Sequence, residues 1–410
     1  MKEWPNILAS EYCYNVTDGT HDSPKPVTEG RYLITSKHIK NNEIDFASAY
    51  KISENDYQKI ITRSGVNQWD IIISMIGAYC GFCYVESSKN TDYAIKNVGL
   101  FKVGDEIKCK WLYYYLTSPQ GKQQLSMLRS GSTQPYIALS SLRNLLIPVP
   151  NSEDMEFIVK IMDSIDAKIR VNRQINDNLE QQAEAIYKSW FVDFEPFKDG
   201  CFIESELGLI PENWKVGKAE DFYEINIGKT PPRKEHEWFS LDSNDNIWVS
   251  ISDLGSCGRF VFESSEYLTD GAIKQHNIVV VPENTVLLSF KLTIGRVGIA
   301  GSKLTTNEAI ARFITSETNR EYTYFALKNY NYSSLGSTSS IATAVNSKII
   351  KAMPIVMPDN ICLANFRNTV APLLNKIKSN EEEILRLSRL RDTLLPKLMS
   401  GELKINEIDC

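Results

Sequence analysis

Residues 154–190 read DMEFIVKIMDSIDAKIRVNRQINDNLEQQAEAIYKSW, and their spacing decides the architecture. Ile158, Ile165, Asn172, Leu179 and Ile186 recur every seven residues, with Met162, Ile169, Asn176, Ala183 and Trp190 as a second row four positions on. Two rows at this spacing describe a helix whose apolar seam it cannot bury alone. A second stretch has the same property: Leu363, Val370, Ile377, Ile384, Arg391 and Leu398 form one row, and Phe366, Leu373, Asn380, Leu387 and Leu394 the other. Each seam is the natural partner of the other. Asn172 and Asn380 stand on these seams. There they either pin register as buried amides, at a cost in stability, or sit hydrated at the edge.

Working outward, the two helical stretches belong to a duplication. Lys168-Ile-Arg-Val-Asn172 falls on Lys376-Ile-Lys-Ser-Asn380 with an offset of 208 residues, and Ile147-Pro-Val-Pro150 on Ile355-Val-Met-Pro358. Upstream the offset drifts between 210 and 216, as unequal loops require. Lys51-Ile-Ser53 then matches Tyr267-Leu-Thr269, Asp70-Ile-Ile-Ile-Ser74 matches Thr285-Val-Leu-Leu-Ser289, and Trp111-Leu-Tyr-Tyr-Tyr-Leu116 matches Tyr322-Thr-Tyr-Phe-Ala-Leu327. Gly131-Ser-Thr-Gln-Pro-Tyr136 and Gly336-Ser-Thr-Ser-Ser340 occupy the same place in the two copies. Such ordered self-similarity predicts a globular part, a long helix, a second globular part and a second long helix. The boundaries fall at 1–150, 151–198, 199–358 and 359–410. Runs such as Ile71-Ile-Ile73 and Ile278-Val-Val-Val281 predict strands. The segments around 110–128 and 320–330 have helical spacing. The fold class is α+β.

Composition narrows the function classes. The 410 residues are 42% hydrophobic and 23% charged, ordinary for a globular protein. No apolar run has the length of a membrane span, and Met1-Lys2-Glu3-Trp4-Pro5 does not open a secretory signal, so the expected location is the cytoplasm. The net charge is −6, unlike a protein that merely coats DNA. The acidity is local: residues 1–150 carry 16 Lys/Arg against 14 Asp/Glu, whereas residues 151–200 carry 6 against 11. Eight scattered cysteines are thin for a disulfide scaffold. Cys80-Gly-Phe-Cys83 has the spacing of half a zinc knuckle without a second pair, so reduced thiols and no metal are expected.

Catalytic motifs are incomplete. Gly228-Lys-Thr230 resembles the end of a phosphate-binding loop, but Tyr223 stands where its first glycine belongs and Pro231-Pro232 follows. Four dispersed histidines give no metal cluster. There is no Gly-x-Ser-x-Gly elbow, nuclease carboxylate–lysine cluster or Asn-Pro-Pro-Tyr methyltransferase motif.

Glu180-Gln-Gln-Ala-Glu-Ala-Ile-Tyr-Lys-Ser-Trp-Phe-Val-Asp-Phe-Glu-Pro-Phe197 resembles the central region of type I restriction-modification specificity subunits. Leu207-Gly-Leu-Ile-Pro-Glu-Asn-Trp214 is similar to the entry into their second recognition domain. Leu390-Arg-Asp-Thr-Leu-Leu-Pro-Lys-Leu-Met-Ser-Gly-Glu-Leu403 is similar to their closing region. The resemblance implies two target recognition domains, an antiparallel helix pair between them, and one half of an asymmetric, interrupted DNA site read by each domain. It implies no catalysis and no cofactor in this chain. S-adenosylmethionine would arrive on two modification subunits, and ATP and Mg on two restriction subunits. The alternative is a single-chain methyltransferase or nuclease with an unrecognised site. One departure stands out. Gly77-Ala-Tyr-Cys-Gly81 spaces its glycines more widely than the family does, and Leu292 stands where the second copy would place its first glycine.

Small polar loops fix orientation by touching phosphates, which nominates Ser132, Thr133, Gln134 and Tyr136 with Ser337, Thr338 and Ser339. Thr17, Gly19, Thr20, Lys229 and Thr230 lie near the starts of their domains. Lys37, His38, Ser250, Ser252, Asp253 and Lys291 are candidate base or phosphate readers. Trp190, Phe191, Phe194 and Phe197 either dock a modification subunit or form a satellite core. Glu180 and Glu184 read as solvated charges.

Overall fold

The sequence repeat reappears as strand topology in a computed structural model that describes residues 4–40, 42–131, 135–335, 345–400 and 402–403. The chain forms two units, Met1–Ile169 with Arg386–Cys410, and Arg170–Leu385. The first unit contains strands β1 (Asn15–Asp18), β2 (Arg31–Ile34), β3 (Lys51–Ile52), β4 (Asp70–Ser74), β5 (Cys83–Val85), β6 (Tyr93–Ile95) and β7 (Val98–Lys102). One antiparallel sheet has the order β1-β7-β4-β5, with Leu100 opposite Thr17 on one side and Ile72 on the other. A smaller sheet has the order β3-β2-β6, and its β2–β6 pair is parallel, with Leu33 opposite Ala94.

The second unit contains β8 (Glu224–Ile227), β9 (Asn246–Val249), β10 (Phe260–Val261), β11 (Tyr267–Leu268), β12 (Val286–Ser289), β13 (Val297–Ala300), β14 (Thr305–Thr306) and β15 (Ile310–Ile314). Its main sheet, β8-β15-β12-β13, repeats the order of the first and adds β10 parallel to β13. Its smaller sheet again holds a parallel pair, β9 with β14, Trp248 opposite Thr305. The matched segments Lys51-Ile52 and Tyr267-Leu268 take the same place, antiparallel to β2 and β9. Each is followed by a helix cap: Ser53 accepts from the Asp56 N–H and Thr269 from the Ala272 N–H.

Every residue of β4 and β12 is buried, which accounts for their unbroken apolar runs. Ile278–Val281 departs from expectation. Only Val281 pairs, by one bridge to Leu304, and Val279 is half-exposed. Pro282 has no N–H with which to continue a ladder.

The seam residues lie on two forty-residue helices, Ser152–Phe191 and Asn360–Met399, and each helix gives residues to both units. Within the second unit Asn172 bonds Glu383, Asn176 bonds Asn380, and Phe191 meets Phe366. Within the first, Asp166 bonds Arg391. Rising numbers on one helix meet falling numbers on the other, so the pairing in the second unit is antiparallel. Asn172, Asn176 and Asn380 are each 1% exposed, so the seam amides are buried rather than hydrated. The seams also drift: Leu374 and Tyr187 are buried where strict heptads would choose Leu373 and Ile186. A helix turns every 3.6 residues, so a seven-residue repeat slips by about 20° per heptad. In the second unit this drift turns Tyr187 and Leu374 into the domain core with Phe313, Tyr322 and Phe366. No described helix is long and apolar enough to cross a membrane.

Candidate nucleic-acid interface

The loops that leave β4 and β12 are built alike. In the first unit the Ser74 N–H donates to Phe82 O at 2.8 Å and the Gly81 N–H to Ser74 O at 2.8 Å. In the second, the Ser289 N–H donates to Arg296 O at 2.9 Å and the Gly295 N–H to Ser289 O at 3.1 Å. Left-handed backbone occurs twice in each loop, at Gly77 (φ 76°) and Gly81 (96°), and at Leu292 (58°) and Gly295 (89°).

In the first unit this loop abuts the hairpin Arg129–Ser130/Tyr136–Ile137, through Gly77 N–H to Pro135 O at 2.8 Å and a bridge between Ile76 and Tyr136. The two together carry a rim of aromatic and basic groups. Phe82 and Tyr136 are 42% and 46% exposed. Tyr79 packs 5.9 Å from Phe82 and lies under the Lys40 ammonium, also at 5.9 Å. Arg129 donates to Cys80 O at 2.6 Å. Exposed cations beside open ring faces suit a polyanion with flat bases.

In the second unit Lys229 donates to His276 O and Asn277 O at 3.3 and 3.2 Å, and the Thr230 hydroxyl donates to Glu308. Burial would raise the Glu308 pKa, but the Thr230 hydroxyl and the charges of Lys291 and Arg233 hold it below the usual carboxylate value. Arg233 is itself fixed: it grips both oxygens of Glu266 at 2.9 Å and lies over the Trp248 and Phe239 rings.

This doubled architecture has known relatives. The family described as the type I restriction modification DNA specificity domain matches residues 26–181 and again residues 211–360. The chain belongs to that family. It is 27% identical over 391 residues to the type I restriction enzyme MjaIX specificity subunit of Methanocaldococcus jannaschii, covering 92% of this chain and 87% of that one. It is 25% identical to the HindI specificity subunit of Haemophilus influenzae, over 72% of this chain and 77% of that one. Its fold is like that of the type I restriction-modification S subunit from M. genitalium, with a TM-score of 0.57 over 96% of each chain at 14% identity. The two globular parts are thus tandem specificity domains.

Within these domains, several residues nominated from the sequence serve the fold. His38 and Asp253 stand at matching places after β2 and β9, and both close a capping box. His38 Nδ1 accepts from the Thr35 N–H at 3.0 Å, and Asp253 Oδ2 from the Ser250 N–H at 2.8 Å. His38 is fully buried, and its burial, with the neighbouring Lys37 charge, lowers its pKa. Neither side chain is free to read a base. Thr17 and Thr20 are buried, and the Thr20 hydroxyl accepts from the Asp22 N–H. Gly19 and Gly228 are packing glycines: a Cβ would lie 2.5 Å from Ile95 O in one case and 2.1 Å from Asn307 O in the other. Lys37, Tyr136, Lys229, Ser252 and Lys291 remain exposed, and Thr230 and Ser250 partly so. Ser132, Thr133, Gln134, Ser337, Thr338 and Ser339 lie outside the described residues. Sequence reasoning passed over Lys40, Tyr79, Phe82 and Arg129. Their signal was the position of Gly77–Gly81 directly after a buried strand.

Trp190, Phe191, Phe194 and Phe197 gather around Trp214, 5.2–5.6 Å from its ring for the three phenylalanines, while Trp190 meets Phe366 at 5.8 Å. They form a satellite cluster whose edge stays open beside Ile361, itself 76% exposed. Glu180 is not a solvated charge. It is 9% exposed and accepts from Arg259 Nε at 2.7 Å, the Tyr324 hydroxyl at 2.6 Å and Lys328 Nζ at 2.7 Å. Glu381 accepts from the Arg259 and Phe260 N–H groups, both at 2.8 Å. The two carboxylates thus fasten the Arg259 segment to both long helices. Cys80 and Cys83 are buried packing residues, and among the described residues no group of three His, Cys, Asp or Glu side chains could hold a metal.

Proposed function

We propose that this chain is the non-catalytic DNA-reading component of a type I complex. Each specificity domain reads one half of an asymmetric, interrupted duplex site, and the long helices set the gap between the halves. The observation that carries this reading is the tandem match to the DNA specificity family over two stretches that share one strand order. In the first unit the contact surface is Lys37, Lys40, Tyr79, Phe82, Arg129 and Tyr136. In the second it is Lys229, Thr230, Ser252 and Lys291. Two modification subunits supply S-adenosylmethionine and methylate adenine, docking near the open edge of the Trp190–Phe197 cluster. Two restriction subunits supply ATP and Mg. Recognition domains 1–150 and 199–358 are the exchangeable parts, with 151–198 and 359–410 as the connecting frame, and the assembly works in the cytoplasm.

The test is methylation with and without partners. Expressed with its modification subunit, the chain directs S-adenosylmethionine-dependent adenine methylation to one interrupted sequence, read by methylome mapping. Methyl transfer or cleavage by the rigorously purified single chain would replace this reading with that of an enzyme.

A further inference from the structure

We propose that Leu292 is an apolar wedge that enters a base step of the DNA read by the second unit. The inference rests on the DNA-reading function proposed above and assigns one side chain a distinct part in it. Leu292 is 102% exposed, more than any other large apolar residue among those described. Its backbone is left-handed, φ 58°, a region disfavoured for branched side chains and natural to glycine. At the matching place in the first unit the residue is Gly77, φ 76°, and a Cβ built there meets nothing within 4 Å. The turn therefore asks for glycine, and the core gains nothing from leucine. What remains is a use outside the chain.

The stem under Leu292 is fixed. Ser289 Oγ donates to Thr293 O at 2.6 Å and accepts from the Arg296 N–H at 3.1 Å. The Phe290 N–H donates to Ala309 O at 3.0 Å, and Arg296 Nη1 to Ile251 O at 2.7 Å. A projecting side chain on a pinned stem loses little freedom when it binds. The apolar surface is narrow: Lys291 and Thr293 flank Leu292 and are exposed, and Ile294 beyond them is the one other exposed apolar side chain of the loop, at 37% against 102% for Leu292. A protein partner would be expected to meet a broader apolar patch. A single leucine beside an ammonium suits a duplex, where the cation meets phosphate and the side chain parts two stacked base pairs.

The test uses the chain assembled with its modification subunits, on duplexes carrying the mapped site with 2-aminopurine at each position in turn. The wild-type complex raises the fluorescence at one step of one half-site, apart from any rise at the methylated adenines, which the modification subunits extrude. Leu292→Gly suits the φ and preserves the fold. It abolishes the first rise, leaves the adenine signal, and weakens binding roughly ten-fold. Leu292→Met restores both. An unchanged fluorescence pattern in Leu292→Gly overturns the wedge, as does weakened subunit assembly with an unaltered DNA response. If the wild-type complex does not distinguish its site from an unrelated duplex, the DNA-reading function itself falls, a result that does not involve the Leu292 variants.

Discussion

Glu180 shows what one side chain can hide from a reading of sequence. Gln181, Gln182 and Glu184 follow it on the helix, and nothing nearby in sequence announces Arg259, Tyr324 and Lys328, which lie 79, 144 and 148 residues away. A partner that distant is supplied by the fold alone. His38 and Asp253 were legible in principle, because Thr-x-x-His and Ser-x-x-Asp directly after a strand are capping patterns before they are contact patterns. Removing the Glu180 charge leaves Arg259 and Lys328 facing a neutral group. Glu180→Gln should therefore destabilise the second unit by about 2 kcal/mol, less than a fully buried pair because both cations keep some water. Urea denaturation at neutral pH measures it. The pH dependence has a definite sign. Burial raises the Glu180 pKa, but the hydrogen bonds from Lys328, Tyr324 and Arg259 outweigh it and leave the pKa below 4.5. Its stabilisation is therefore complete above the unfolded carboxylate value and is lost as pH falls through the lower folded one. The gap between wild type and Glu180→Gln should close on acidification below about pH 4.5 and stay constant above pH 6. A gap that widens in acid would refute the assignment.

Among the elements, the long helices were the most legible, because periodic burial writes itself into spacing. The partners of their seam amides were not. Asn172 and Asn380 are equivalent in the repeat, yet Asn380 bonds Asn176 and Asn172 bonds Glu383. The pairing follows from where the antiparallel helices meet, which the repeat does not encode. Changing Asn380 alone to Leu strands the Asn176 amide in the seam and should cost about 1–3 kcal/mol. Changing Asn176 and Asn380 together to Leu should recover that loss and add stability, while register becomes less well specified. Thermal denaturation of the wild type and these two variants decides the first part. A cysteine placed on each helix at matched and slipped positions, followed by crosslinking, decides the second. The strand run Ile278–Val281 was misread for a simpler reason: apolar composition gives β-propensity but does not supply a neighbouring strand.

For the molecule as a whole, the duplication predicts modular behaviour. Replacing residues 1–150 with the corresponding segment of a relative should change one half of the methylated site and leave the other intact, because base contacts are local. Methylome mapping of the chimaera reads this directly, and a change in both halves would show that the division is misplaced. The helices should also behave as a measure. Seven residues inserted after Ile169, with seven more after Leu385, lengthen each helix by about 10.5 Å and nearly preserve the facing of the seams. At about 3.4 Å per base pair the non-specific gap should grow by three. An active variant with an unchanged gap would mean that the helices do not set the spacing.

The first unit takes its residues from two separated stretches, Met1–Ile169 and Arg386–Cys410, while the second is the uninterrupted run Arg170–Leu385. A ribosome delivers the strands of the first unit early and its last helical turns late. The 216 residues in between occupy roughly 10–40 s of synthesis. Throughout that interval Asp166 has been made and Arg391 has not. The second unit, whose share of both helices is already present, can close first. The nascent chain should therefore mature in the reverse of the order in which it begins, and the half-built first unit is the part most in need of a holding chaperone.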